Sequence, residues 1–246
     1  MFSEQNLRVA PPPIRPLSPV QTGVSRPLIS HVRGRDLSDS PVDPATAIFT
    51  EAARIIAAGG VIVLPTDTLY GLAADPWNAT AVERLFQIKQ RPAEKPIPLL
   101  ISDREMLRRV VLEVTPEAER LMDAFWPGPL TLIFKGTALP ERLTAGTGTI
   151  AIRLPDSPFL IRLITAMGRP ITATSANRSG GADLHSAQAI LAVLGGAVDL
   201  IIDGGLRAGF PSTLVDVAGP VPTLVRPGAI PASSLSPYIS SSSASL

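Results

Sequence analysis

GGVIVLPTDTLYGLAADPWN, residues 59–78, decides the fold class. Gly59-Gly60 ends a preceding helix, because glycine adopts the left-handed conformation that closes one. VIVLP, 61–65, is short, continuously apolar and β-branched, the pattern of a strand buried on both faces. Asn78 then caps a following helix. Helix, buried strand, helix is an α/β sequence. PTDTLYG, 65–71, is read as a loop leaving the buried strand, the place where α/β proteins bind ligands. Thr66 and Thr68 offer hydroxyls, Tyr70 a flat wall and Gly71 room for close approach. A turn shaped by Asp67 and Gly71 explains the same residues equally well.

The pattern repeats outward. Residues 45–58 put Ile48, Ala52, Ile55 and Ile56 on one helical face, and 79–90 do the same with Val82, Leu85, Phe86 and Lys89. Thr115-Pro116 opens a helix over 116–125. Helices are also predicted over 157–167 and 186–194. Strands are predicted at 97–101, 130–135, 149–154, 170–174, 198–202, 213–217 and 222–226. The last strands follow each other without helices, so the pairing should be mixed. The expectation is α/β: a single open twisted mixed sheet flanked by helices, over 45–230. Residues 1–44 hold eight prolines and no apolar periodicity, and read as a disordered extension. Residues 231–246 hold eight serines in sixteen positions and read as a flexible tail.

Composition narrows the chemistry. The chain has 246 residues, 45% apolar and 17% charged, enough for a large core. No cysteine is present, which excludes a disulfide scaffold, a thiolate metal site and a cysteine nucleophile. Two histidines, His31 and His185, cannot build a histidine-rich metal centre, and His185 reads as a surface residue. No apolar run approaches a membrane span. Net charge is +1, with 17 acidic and 17 basic groups beyond residue 45. An anionic ligand must therefore be held by locally gathered cations.

Lysine usage shows where they gather. Of three lysines, Lys89, Lys95 and Lys135, two lie in KQRPAEK (89–95) with Arg91 between them. Lysine gives a compact point charge and arginine a bidentate fork, two kinds of anion contact on one turn. Cations also suit a helix C-terminus through its dipole, so this segment alone leaves both readings open. TSANRSGG, 174–181, is rich in hydroxyls, amides and glycines and suits a phosphate-wrapping loop or an ordinary polar one. There is no G-x-x-x-x-G-K-[ST] phosphate loop and no G-x-S-x-G elbow.

Together these segments, with WPGPLTLIF, TIAIRLP, STLVDV and LVRPGAI, resemble the YrdC-like threonylcarbamoyl-AMP synthases in order and spacing. The resemblance spans about 46–230 and includes the family's tetrad, here Lys89, Arg91, Ser175 and Asn177. It implies a YrdC-like fold and a cytoplasmic nucleotidyltransferase of the short form. The implied reaction joins L-threonine, bicarbonate and ATP, with Mg²⁺, into threonylcarbamoyl-AMP and pyrophosphate. The product passes to a downstream transferase complex that modifies tRNA. By resemblance, Lys89 and Arg91 are catalytic. Arg91, Lys95, Thr149, Ser175, Asn177 and Arg226 face ATP. Thr66, Thr68, Arg153, Ala173 and Ser212 surround threonine. No metal is held by protein side chains alone. Two positions depart from the pattern: Leu100 for a common histidine, and Asp183 for a common serine or threonine. The alternative is an RNA-binding YrdC-like paralogue without synthase activity, since such domains are associated with weak binding to structured RNA. A carbamoyl-handling relative of hydrogenase-maturation proteins is disfavoured by the lack of cysteine.

Overall fold

Short polar residues start the helices where the sequence places them. In a computed structural model, the side chains of Asn78, Asp103, Thr115, Ser157 and Ser186 each accept the backbone N–H three residues on. The structure describes residues 28–31, 44–137 and 139–239. In chain order they form β1 (Leu28–His31), α1 (Pro44–Ala57), β2 (Ile62–Pro65), β3 (Tyr70–Ala73), α2 (Ala79–Lys89) and β4 (Leu99–Leu100). Then come α3 (Arg104–Arg108), α4 (Pro116–Phe125), β5 (Leu130–Lys135), α5 (Glu141–Thr144), β6 (Thr149–Arg153) and α6 (Pro158–Met167). The last are β7 (Ile171–Thr172), β8 (Thr174–Ser175), α7 (Ala187–Leu194), β9 (Leu200–Asp203), β10 (Thr213–Asp216), β11 (Thr223–Arg226) and α8 (Ala232–Leu235).

The mixed α/β class holds, but the strands form two sheets where one was expected. One has the order β1-β9-β2-β3-β8, the other β11-β10-β5-β6-β4-β7. The division occurs inside the predicted strand 170–174. Its first half, β7, pairs antiparallel with β4, and its second half, β8, pairs antiparallel with β3. Ala173 is the crossing point, and its N–H is taken by Pro98 O at 2.8 Å. One twisted sheet carrying all these strands would exceed the size at which open sheets curl or split, about ten strands.

PTDTLYG is likewise not wholly a loop. Thr66 Oγ1 accepts Thr68 N–H at 3.0 Å and donates to Leu69 O at 2.6 Å. This local bonding reverses the chain. Tyr70–Ala73 returns antiparallel along β2, with Pro65 opposite Tyr70 and Ile62 opposite Ala73.

Both predicted tails contain structure. Residues 28–31, inside the expected extension, add β1 parallel to β9 at the sheet edge. Four residues are too few to register as periodicity. The rest of 1–43 lies outside the described residues. Within the expected serine-rich tail, α8 buries Leu235, and the Tyr238 ring meets Phe125 edge-on at 5.4 Å. Leu235, Tyr238 and Ile239 make an i, i+3, i+4 apolar face among the serines. Residues 240–246 lie outside the described residues.

Two apolar clusters form the core. β2 and the residue before it serve both by alternation: Ile62 and Leu64 join the larger cluster, Val61 and Val63 the smaller one beneath α2 and α7. In the six-stranded sheet, Leu130, Leu132, Phe134, Ile150 and Ile152 enter the larger cluster. Residues of opposite parity are therefore left to face elsewhere. No helix among the described residues is long and apolar enough to cross a membrane.

Candidate active site

Those opposite-parity residues line a cavity of about 510 Å³. β5 contributes Thr131 and Ile133, β6 contributes Thr149, Ala151 and Arg153, and the β10 segment contributes Ser212 and Leu214. Arg226 enters from the end of β11, Leu99 and Leu100 from β4. The other sheet supplies Thr66, Thr68, Tyr70, Gly71, Thr174 and Ser175. Of the residues proposed from sequence, Thr66, Thr68, Arg91, Lys95, Thr149, Arg153, Ala173, Ser175, Ser212 and Arg226 share this cavity, while Lys89 and Asn177 do not line it. The departures Leu100 and Asp183 do.

The C-terminus of α2 sorts its cations. Gln90 caps the helix in the left-handed conformation, φ 49° and ψ 45°. That turn leaves Lys89 facing inward and releases Arg91 to the cleft. Arg91 Nε donates to Lys95 O at 3.1 Å and Nη2 to Pro96 O at 2.7 Å. The arginine thus folds the loop that presents Lys95 and Pro96 to the cavity.

Lys89 is 1% exposed. Its Nζ donates to Ser175 O, to Asn177 O at 2.8 Å and to Asn177 Oδ1 at 3.1 Å. Burial, then the charge of Arg91, lowers its pKa to about 7, while Asp183 acts in the opposite direction. The side chain holds a loop and does not line the open cavity. Asn177 extends the same network. Its Oδ1 accepts Ser175 Oγ–H at 2.7 Å, and its Nδ2 donates to Gly181 O at 2.8 Å and Ala182 O at 3.3 Å.

Arg153 is held on three sides. Nε donates to Gly128 O at 2.9 Å, Nη1 to Thr68 Oγ1 at 2.8 Å, and Nη2 lies 2.5 Å from Asp67. Asp67 offsets the charge that burial disfavours. Nη2 is itself buried and forms no hydrogen bond, so Asp67 meets it as an ion pair. Arg226 Nη2 donates to Ser212 O at 2.8 Å, and Ser212 Oγ shares a 2.7 Å hydrogen bond with Thr131 Oγ1. Tyr70 lines the cavity with its ring, but its hydroxyl donates to Gly205 O at 2.7 Å and accepts Gly204 N–H at 3.0 Å. His185 is exposed, as read from sequence, yet it joins two loops: its O accepts Arg207 N–H at 2.8 Å, and Nδ1 lies 2.6 Å from Arg207 O.

Sequence reasoning missed Thr131, Ile133, Ala151 and Leu214. Period-two alternation would have found them. In LTLIFK the lone threonine sits out of phase with the core positions, and in TIAIR so do Thr149, Ala151 and Arg153.

Among the described residues, no group of three or more His, Cys, Asp or Glu could hold a metal ion. Asp183 is the one carboxylate among the described lining residues. A single hard oxygen donor beside cations fits magnesium brought in on phosphates, since that ion keeps its waters and takes one or two carboxylates.

The Sua5/YciO/YrdC family model, described as "Telomere recombination", matches residues 54–228. The threonylcarbamoyl-AMP synthase of Pyrococcus abyssi is 41% identical over 182 residues, covering 73% of this chain and 54% of that protein. That of Bacillus subtilis is 40% identical over 200 residues, covering 79% and 57%. The chain therefore spans a little over half the length of these relatives. The crystal structure of P. abyssi Sua5 complexed with L-threonine superposes with a TM-score of 0.79 at 36% identity, covering 86% of this chain and 61% of that one.

Proposed function

The chain belongs to the Sua5/YciO/YrdC family, and on that footing we propose that it joins L-threonine, bicarbonate and ATP into threonylcarbamoyl-adenylate, releasing pyrophosphate. One observation carries the reading: a single cavity gathers Arg91, Lys95 and Arg226 with Thr66, Thr68, Arg153 and Ser212. The first three are suited to phosphate, the others to a small hydroxy-amino acid.

The chemistry asks little of a base. Threonine's amine and bicarbonate give a carbamate and water. A carbamate oxygen attacks the α-phosphorus, the bond to the bridging oxygen of the β-phosphate breaks, and pyrophosphate leaves with that electron pair. The nucleophile is already anionic, so the site must assemble charge and not abstract a proton. Arg91 and Lys95 on one turn and Arg226 opposite answer the nucleotide's charge. Arg153, a cation in the lining beside Thr66 and Thr68, suits the amino-acid carboxylate. Ser175, held by the Asn177 and Lys89 network, offers its hydroxyl at the nucleotide side. Leu100 makes the amino-acid wall apolar, which suits threonine's methyl group. Bound with the nucleotide, magnesium would neutralise phosphate charge, with Asp183 the residue placed to face it.

The RNA-binding alternative is the weaker reading, because the cations are drawn into a concave cavity with few stacking aromatics. Delivery of the product to a tRNA-modifying transferase follows from the same reading.

Pyrophosphate release from the purified chain with ATP, Mg²⁺, bicarbonate and threonine tests it. Release should require both threonine and bicarbonate, and serine should support less. Equal release without either would refute the reading.

A further inference from the structure

We propose that Asp183 makes this cleft select the metal-complexed nucleotide over the free one. The inference rests on the nucleotide reading above and adds a residue that sets which form of the ligand is accepted.

Asp183 stands in the cavity lining with Arg91, Lys95, Arg153 and Arg226. Arg153 is compensated by Asp67 at 2.5 Å. No ion pair within 4 Å compensates Arg91, Lys95 or Arg226 among the described residues. Three open cations and one carboxylate share the lining, and the carboxylate also faces the charge of the buried Lys89. A carboxylate opposes phosphate charge in proportion to its size, so a bare triphosphate, with about four negative charges, is opposed more than its magnesium complex, with about two. In a partly enclosed cavity that repulsion counts, because solvent screens it less.

The carboxylate is held where it stands. Upstream, Asn177 Nδ2 binds Gly181 O and Ala182 O and approaches Asp183 Oδ1 at 3.4 Å. Downstream, His185 is fastened to Arg207 through both its main chain and its ring. The main chain on either side of Asp183 is thus fastened, and turning the carboxylate away from an incoming phosphate gives up its own contact with Asn177. A serine at this place would carry no charge and discriminate little.

The experiment is equilibrium binding of ATP to the full chain, without threonine or bicarbonate, in excess Mg²⁺ and in excess chelator. Asp183→Asn and Asp183→Ser are compared with the parent, and unchanged melting temperatures certify the fold. The parent should bind ATP at least tenfold more weakly under chelation. Both variants should gain about tenfold in metal-free affinity, about 1.4 kcal/mol, and lose most of the metal dependence. Metal dependence equal to the parent's in both variants would overturn the proposal. Absence of ATP binding to the parent in Mg²⁺ would refute the nucleotide reading instead, a different result.

Discussion

Lys89 Nζ donates to both the main-chain and the side-chain oxygen of Asn177, 2.8 and 3.1 Å away, across 88 residues of sequence. This pair ties the end of α2 to the loop after β8. It explains why two residues so prominent in the sequence pattern stay outside the cavity that the pattern surrounds. They fix the geometry of Ser175 and Asp183, which do face it.

Removing the strut should harm both fold and function. Lys89→Ala leaves buried acceptors on Ser175 and Asn177 unpaired, and should cost about 1–3 kcal/mol of stability by urea denaturation. Displacement of the Ser175 loop should lower pyrophosphate release on the order of a hundredfold. Parental stability together with parental turnover would remove Lys89 from this role.

The buried ammonium also links stability to pH. Lys89 titrates near 7 in the fold and at 10.5 in a model chain. Between those values the unfolded state binds more protons, so this group's contribution to stability rises as pH increases above 7. Below 7 both states are charged and the contribution is constant. The stability gap between parent and Lys89→Met should therefore shift in the parent's favour from pH 7 to pH 9. A gap independent of pH over that range contradicts the burial.

Arg91 acts as a fork, not merely as a charge. Arg91→Lys keeps the cation but loses the paired bonds to Lys95 O and Pro96 O that shape the loop. Its KM for ATP should rise about tenfold, the scale of one charge-assisted hydrogen bond, with threonine KM nearly unchanged. A parental ATP KM would show that the loop holds its shape without the fork.

Thr131, invisible to motif reading, positions Ser212 through a 2.7 Å hydroxyl contact. Thr131→Val preserves shape and removes that bond, worth about 0.5–1.5 kcal/mol. Threonine KM should rise severalfold while ATP KM stays. The reverse pattern would move Ser212 to the nucleotide side.

Much of this was legible in the sequence, for identifiable reasons. Caps such as Asn78, Thr115 and Ser186 act within a few residues, so helix starts could be read locally. The buried runs VIVLP and LTLIFK declared their strands by composition. Partition into two sheets was not legible, because it turns on one residue, Ala173, whose neighbours look like continuous strand. Tyr70–Ala73 hid behind a turn rich in ligand-like hydroxyls. β1 and α8 hid because proline and serine dominate their surroundings. At the site, the KQRPAEK turn announced its cations, but which of them faces inward depends on the left-handed Gln90, and no side-chain pattern encodes that.

If one cavity joins an amino acid, bicarbonate and a nucleotide, the labelled carbon of ¹³C-bicarbonate must enter the adenylate formed from ATP and threonine. Mass spectrometry should find a threonine-containing acyl-adenylate carrying one labelled carbon, formed in step with pyrophosphate. An unlabelled adenylate, or pyrophosphate released with no adenylate, would contradict it.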